Sequence, residues 1–266
     1  MKIAFIGGGN MGEAMLQAIL NKKVASPGDI FVSDIKKARL EHLEQRYGVK
    51  VMGGNVEAAS KGEVVVLAIK PQNLAEVMAE LKGKLKPSQL VLSIIAGARI
   101  DTLRRGLGHN CIVRVMPNTP AQIGEGISVW TATSEVDKEQ KEQTRVILGT
   151  MGKEVFVADE ERIDMATAIS GSGPAYVFLF MESLIEAAVH IGLPHDMAQE
   201  LVLQTLLGSG HFMEKSGKSP AELRKMVTSP GGTTAEALLQ FEKGRFSELV
   251  MQAVSAAYNK AKRLGE

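Results

Sequence analysis

Short apolar runs alternate with amphipathic stretches through the first part of the chain. Lys2 to Ile6 is an apolar run that reads as a strand, and Glu13 to Leu20 places Ala14, Met15, Ala18 and Ile19 at helical spacing. Ile30-Phe31-Val32 reads as a second strand, followed by a helix through Leu40, Leu43 and Tyr47. The continuous apolar run Glu63 to Ile69 is what a strand covered on both faces requires. A helix over Leu74–Leu81, a strand over Leu90–Ile94, a short helix over Ile100–Leu107 and a strand over Ile112–Val115 continue the alternation. This pattern predicts a doubly wound parallel sheet with helices on both faces. Ile127–Trp130 and Glu154–Val157, around a helix from Asp137 to Leu148, are expected to extend it.

After about Asp159 the pattern becomes helical throughout. An apolar stretch runs from Ile163 to Ile191 and ends at Gly192-Leu193-Pro194. A second helix spans about His195 to Met213, and Pro220 marks the start of a short third. A fourth follows a Pro-Gly-Gly turn, and a fifth covers Phe246 to Leu264. The expected division is a dinucleotide-binding domain over 1–158 and an all-helical domain over 159–266. The helical half is apolar but small, with Ala187, Ala188, Ala198, Ala253, Ala256 and Ala257 suited to close packing. Alone it leaves apolar surface in water, so a homodimer through this domain is predicted.

Composition narrows the classes further. The chain has 266 residues, 45% hydrophobic and 23% charged, a globular balance. A net charge of +1 builds in no general attraction to nucleic acid or membrane, and neither is expected as a partner. One cysteine, Cys111 in a predicted strand, excludes an intrachain disulfide and suits a reducing compartment. The first strand begins at once, leaving no room for a signal peptide, and no apolar run is expected to approach a membrane span in length. The expected location is cytoplasmic, and no metal site is expected.

The candidate chemistry sits where elements meet. Gly7-Gly8-Gly9-Asn10-Met11-Gly12 lies between a strand and a helix, so Gly7, Gly9 and Gly12 fit the dinucleotide fingerprint in its required context. Asp34 follows roughly twenty residues later, where a carboxylate takes ribose hydroxyls and repels a 2′-phosphate. Ser33, Lys36, Lys37 and Arg39 around it favour a phosphate, so these residues leave the 2′ group open. Lys70 and Pro71 end a sheet strand on the side where such sheets bind ligands, and the Met116-Pro117-Asn118-Thr119-Pro120 loop offers Asn118 and Thr119. Both segments also read as rigid loops without a ligand. Ser170-Gly171-Ser172-Gly173-Pro174-Ala175-Tyr176 spends helix propensity on small residues, which marks either a functional approach or a tightly packed kink. Val227 to Leu238 carries Ser229-Pro230-Gly231-Gly232-Thr233-Thr234 into a helix. The backbone N–H groups of such a turn suit a carboxylate; the alternative is ordinary capping by Thr233 or Thr234.

Taken together and in order, these segments resemble the pyrroline-5-carboxylate reductase family over essentially the whole length, the Ser229–Thr234 turn with Pro220, Leu223, Val227, Ala237 and Leu238 being the most specific. The resemblance implies a Rossmann domain followed by a helical dimerisation domain, assembled in some members into rings of dimers. It implies reduction of L-1-pyrroline-5-carboxylate to L-proline with NADPH or NADH, NADPH slightly favoured. It places the substrate carboxylate on Ser229, Gly231, Gly232 and Thr233, with Thr234 facing the ring nitrogen. It places the cofactor along Gly7, Gly9, Asn10, Met11 and Gly12, with Ser33, Asp34 and Lys36 at the adenosine end and Asn55, Ala68, Lys70, Pro71 and Asn118 around the ribose and nicotinamide.

None of the five histidines falls in these motifs, so the base that an alcohol dehydrogenase needs is missing. A β-hydroxyacid dehydrogenase would place a lysine on the long first helix of the second domain, and Ile163 to Ile191 has none. A dinucleotide sensor without activity explains the glycine motif but not the Pro-Gly-Gly-Thr-Thr turn.

Overall fold

The alternating runs form β1 (Ile3–Ile6), α1 (Asn10–Asn21), β2 (Ile30–Ser33), α2 (Lys37–Tyr47), β3 (Lys50–Val51), α3 (Asn55–Lys61), β4 (Val64–Leu67), α4 (Leu74–Leu81), β5 (Leu90–Ser93), α5 (Ile100–Leu107), β6 (Ile112–Met116), β7 (Gly126–Ala132), α6 (Lys138–Gly149) and β8 (Gly152–Phe156). The structure is a computed structural model that describes residues 1–265. Its eight strands form one sheet in the order β3-β2-β1-β4-β5-β6-β7-β8. Along β4, alternate side chains enter opposite cores: Val64 and Val66 join Phe5, Met15, Ile19 and Trp130, while Val65 and Leu67 join Ile6, Ala58, Leu81 and Leu103. Both faces are thus covered, which is why β1, β4 and β5 are buried at every position.

Strands β1 to β6 pair in parallel, and β7 and β8 extend the sheet. The direction reverses at β7, which pairs antiparallel to β6 with Val115 opposite Trp130. The link between them is a single tight turn, Thr119–Ile123, too short for the crossover that a parallel neighbour needs. Asn118 fixes this turn by accepting the Ile127 N–H at 2.9 Å. Strand β3 and helix α3, absent from the expected pattern, complete the β2 edge and its return to β4.

The later part of the chain is helical as expected: α7 (Glu161–Ala166), α8 (Gly173–His190), α9 (His195–Ser216), α10 (Pro220–Met226), α11 (Thr233–Lys243) and α12 (Phe246–Leu264). The chain divides into two compact units, Met1–Pro174 with the C-terminal stretch from Ala257, and Ala175–Ala256. The first unit runs past the expected boundary at 158 because α7 is tied to the sheet. Arg114 of β6, buried at 2% exposure, pairs with Asp164 at 2.6 Å and Glu160 at 2.9 Å.

The expectation that no apolar run approaches a membrane span is corrected. The helical run from Glu161 to His190 is 30 residues long, with a window of mean hydropathy 1.2 that is only 6% buried. The run carries Asp164, Glu182 and Glu186, charges that are costly in hydrocarbon. In the second unit α9 buries only Ala198 and Val202, and Phe178, Leu179, Leu249 and Met251 are each more than 60% exposed.

Candidate active site

The strand order reverses between β1 and β4, so the crevice beyond their carboxyl ends is where a ligand belongs. Gly7 leaves β1 with φ +99°, and a Cβ there would lie 2.6 Å from the Ala68 carbonyl oxygen. A Cβ on Gly12 would lie 2.6 Å from the Gly7 carbonyl oxygen and 3.3 Å from the Ala68 Cβ. Gly7, Gly12 and Ala68 are therefore packed as one unit in which no larger residue fits. Gly9 is different: nothing lies within 4 Å of a Cβ built there. Gly9 is also the N-cap of α1 and supplies no capping side chain, while Asn10 and Met11 form the first turn. First-turn N–H groups of a helix have no intrahelical partner, so this open, uncapped end is a fitting cradle for a pyrophosphate.

The end of β2 forms the next part. Asp34 accepts the Gly8 N–H at 2.8 Å through one oxygen and the Lys36 N–H at 2.8 Å through the other. Ser33, 2% exposed, donates its hydroxyl to Asn55 at 2.8 Å, and the Asn55 amide donates to Glu80 at 2.7 Å. Asn55 opens α3 and is thereby brought beside Ser33. Lys70 is exposed at the end of β4, where Pro71 begins the tight turn Pro71–Asn73 into α4. The Asn118 side-chain oxygen accepts the Ile127 N–H, which fixes the orientation of its amide group.

Glu13 was not singled out by the sequence, yet it gathers side chains of α2 beside the glycine loop. Its carboxylate receives Arg39, the Tyr47 hydroxyl at 2.8 Å and His42 at 3.0 Å, with Arg46 at 3.8 Å. Arg39 also donates to the Gly8 carbonyl. Burial pushes the Glu13 carboxyl up, but hydrogen bonds from His42, Tyr47 and Arg39 outweigh it and hold the group below its ordinary value. Burial and the same carboxylate push the Tyr47 phenol up. Arg39, His42 and Arg46 recur at helical spacing along α2, a signal that the sequence does contain.

The Ser170–Tyr176 segment begins inside one turn of π-helix, Thr167–Gly171, where Thr167 returns its hydroxyl to Ile163 at 2.7 Å and Ser170 to Ala166 at 3.0 Å. Its small residue is used by Met116: a Cβ on Gly171 would lie 2.8 Å from the Met116 Cε. Such turns recur at functional sites.

The second unit carries the Pro-Gly-Gly turn. A capping box joins Ser219 and Glu222 at the start of α10, and hydrogen bonds from Ser219 pull the Glu222 carboxyl down. The Thr228 hydroxyl returns to Arg224 at 2.6 Å, Gly231 takes φ +67°, and the Gly232 N–H donates to Ser229 at 3.1 Å. The alternative in which Thr233 or Thr234 caps α11 is corrected. Gly232 is the N-cap, with no side-chain cap, and the two threonines open the helix. The first-turn N–H groups, those of Thr233 and Thr234 among them, thus have no capping side chain at a positive helix end, an arrangement that suits a small carboxylate.

Comparison with known proteins agrees over the full length. The family model described as pyrroline-5-carboxylate reductase dimerisation matches residues 160–264, and that described as NADP oxidoreductase, coenzyme F420-dependent, matches residues 2–97. A pyrroline-5-carboxylate reductase from Synechocystis sp. is 39% identical, covering 100% of this chain and 99% of its own. The structure of a pyrroline-5-carboxylate reductase from Coxiella burnetii superposes with a TM-score of 0.91 at 38% identity, over 100% of this chain and 98% of that one. The pyrroline carboxylate reductase of Plasmodium falciparum, solved with NADP bound, gives 0.92 at 36% identity with the same coverage.

Proposed function

The chain belongs to the pyrroline-5-carboxylate reductase family, and from that premise we propose that it reduces L-1-pyrroline-5-carboxylate to L-proline with NADPH or NADH, the last step of proline biosynthesis. The observation that carries the reading beyond a generic Rossmann oxidoreductase is the uncapped N-terminus of α11 behind the Ser229–Gly232 turn. A carboxylate needs such a donor set, and a dinucleotide sensor has no use for it. The rival β-hydroxyacid dehydrogenase requires a lysine on α8, which has none.

The glycine loop fits the dinucleotide, because Gly9 leaves open space before an uncapped helix end. Gly7, Gly9, Asn10, Met11 and Gly12 would hold its pyrophosphate, Ser33, Asp34 and Lys36 its adenosine ribose, and Ala68, Lys70, Pro71 and Asn118 its nicotinamide side; Asn55, expected with the latter group, would instead join the adenosine end because it accepts the Ser33 hydroxyl. When bound it supplies the hydride for the C=N carbon. Ser229, Gly231, Gly232 and Thr233 would fix the substrate carboxylate, and Thr234 would orient the ring nitrogen. The imine binds protonated, so the nitrogen already carries its proton and alignment is the main task of the protein. That division agrees with the absence of histidine from the motifs.

The same reading gives a division of labour at 158/159, with the helical part dimerising and contributing the substrate turn. A second copy would cover the exposed apolar helices, including the run from Glu161 to His190, in place of a membrane. Assembly of dimers into a ring, the absence of nucleic-acid and membrane partners, and a cytoplasmic location belong to the proposal as well.

The test is absorbance of NADPH, then NADH, with purified protein and pyrroline-5-carboxylate. Oxidation with formation of proline is expected. Folded, dinucleotide-binding protein that oxidises neither would overturn the reading.

A further inference from the structure

The two features that decide between a 2′-hydroxyl and a 2′-phosphate are both tied to one residue of the glycine loop. Asp34 takes the Gly8 N–H at 2.8 Å, and Arg39 donates to the Gly8 carbonyl. Arg39 lies in the first turn of α2, directly after the β2 end where a Rossmann domain meets the adenosine ribose, and where an arginine would accommodate a 2′-phosphate. Here its guanidinium is engaged elsewhere. One nitrogen goes to Gly8 and another to Glu13, whose side chain is only 15% exposed and is further held by Tyr47, His42 and Arg46. The nearby cations are unequal substitutes: Lys37 is 90% exposed and reaches Glu41 at 3.8 Å, and Lys36 is a single ammonium without a planar fork.

We propose that Glu13 is a specificity-determining residue: it holds Arg39 against the glycine loop and so withholds the guanidinium from the 2′-phosphate that distinguishes NADPH from NADH. The inference rests on the reading of this crevice as a nicotinamide dinucleotide site. Glu13 touches neither substrate nor cofactor and acts as a positioning residue through Arg39. Two anions compete for one guanidinium. Glu13 wins by being preorganised, with the phenol and imidazole fixing its carboxylate. Asp34 adds to the bias, because its carboxylate stands where the phosphate would arrive. Exchanging Glu13 for glutamine keeps an acceptor for Tyr47 and removes the charge that competes with a phosphate dianion.

The experiment is calorimetric titration of NADPH and of NADH, without substrate, into the wild type, Glu13→Gln, Arg39→Met and the double variant. Glu13→Gln should raise the affinity for NADPH relative to NADH about tenfold, the scale of one charge-assisted hydrogen bond. Arg39→Met should leave the wild-type ratio within about twofold, and the double variant should lose the gain of Glu13→Gln. An unchanged ratio in Glu13→Gln overturns the inference. So does a selective loss of NADPH binding in Arg39→Met, which stands as a test even where Glu13→Gln folds poorly. If the wild type binds neither dinucleotide, the site reading itself falls and takes the inference with it. Binding of both at a ratio that Glu13→Gln leaves unchanged removes the inference alone.

Discussion

Arg114 and Asp164 form an ion pair buried on both sides, 2% and 3% exposed, with 2.6 Å between Nη2 and Oδ1. A β-strand position between Val113 and Val115 is an expensive place for a guanidinium, and Arg114 is tolerated there because Asp164 and Glu160 of the α7 region meet it. Asp164 also faces Arg99 at 3.3 Å. Asp164→Ala is expected to cost about 3 kcal/mol, since Glu160 remains for Arg114 but a buried charge loses its closest partner. Arg114→Met with Asp164→Leu should recover most of the loss. Urea unfolding at fixed protein concentration measures both, and equal losses in the single and double variants would contradict the argument.

Gly9 and Gly12 separate binding from folding. Gly12→Ala forces a Cβ to 2.6 Å from a backbone oxygen, so the strand–helix junction must shift and stability should fall by about 1–3 kcal/mol. Gly9→Ala meets nothing, and its φ of −65° is one that alanine adopts freely. It should fold with wild-type stability while losing NADPH and NADH affinity at least about tenfold, because the open space is where the pyrophosphate approaches. Thermal unfolding and calorimetry on the two variants check this; a Gly9→Ala protein that binds normally would remove Gly9 from the site.

The sequence shows elements that are buried on two faces and hides those decided by distant partners. Val64–Leu67 is legible because four consecutive apolar residues leave no other reading, and α10 because Pro220 opens it. Lys50–Val51 is too short and too polar to register as a strand, and α3 is seven residues behind two glycines. The reversal at β7 is invisible because a strand has the same period in both directions; its direction is set by the tight turn after Asn118. The glycine loop and the Ser229–Thr234 turn are legible as local motifs. The Glu13–Arg39 pair is not, since its members are 26 positions apart and each alone reads as a solvated charge.

The proposed dimer would use the apolar faces of the second unit. Leu179 on α8 and Leu249 on α12 are 63% and 61% exposed in a single chain. Replacing either by arginine should shift the protein from dimer to monomer in sedimentation velocity and lower its melting temperature, because the face then has neither a partner nor an apolar core to join. Dimers of wild-type affinity in both variants would place the interface elsewhere.

The Glu13 cluster should show itself at both ends of the pH scale. The folded Glu13 carboxyl lies below its ordinary value, so its contribution is present above the ordinary carboxylate pKa and is lost as pH falls through the depressed one. The folded Tyr47 phenol lies above its ordinary value, so its contribution is complete below that value and is lost as pH rises through the raised one. The stability advantage of wild type over Glu13→Gln should therefore shrink below about pH 4, and that over Tyr47→Phe above about pH 10. Unfolding curves that stay parallel across either range would show that the hydrogen bonds contribute nothing to the fold.

Thr234 carries the chemical part of the proposal. It opens α11 beside Thr233 behind an N-cap that supplies no side chain, so its hydroxyl competes with no capping role. A hydroxyl there can hold the imine nitrogen in line for the hydride and keep it protonated, a contribution of about 10- to 100-fold in rate. Thr234→Ala should lower kcat by that amount with dinucleotide affinity unchanged, and should steepen the fall in rate at high pH, where the free imine loses its proton. Thr234→Ser should restore most of the rate, because the methyl group takes no part. Unchanged turnover of Thr234→Ala at every pH would remove the hydroxyl from the mechanism and leave the backbone of the Ser229–Thr233 turn as the whole of the substrate site.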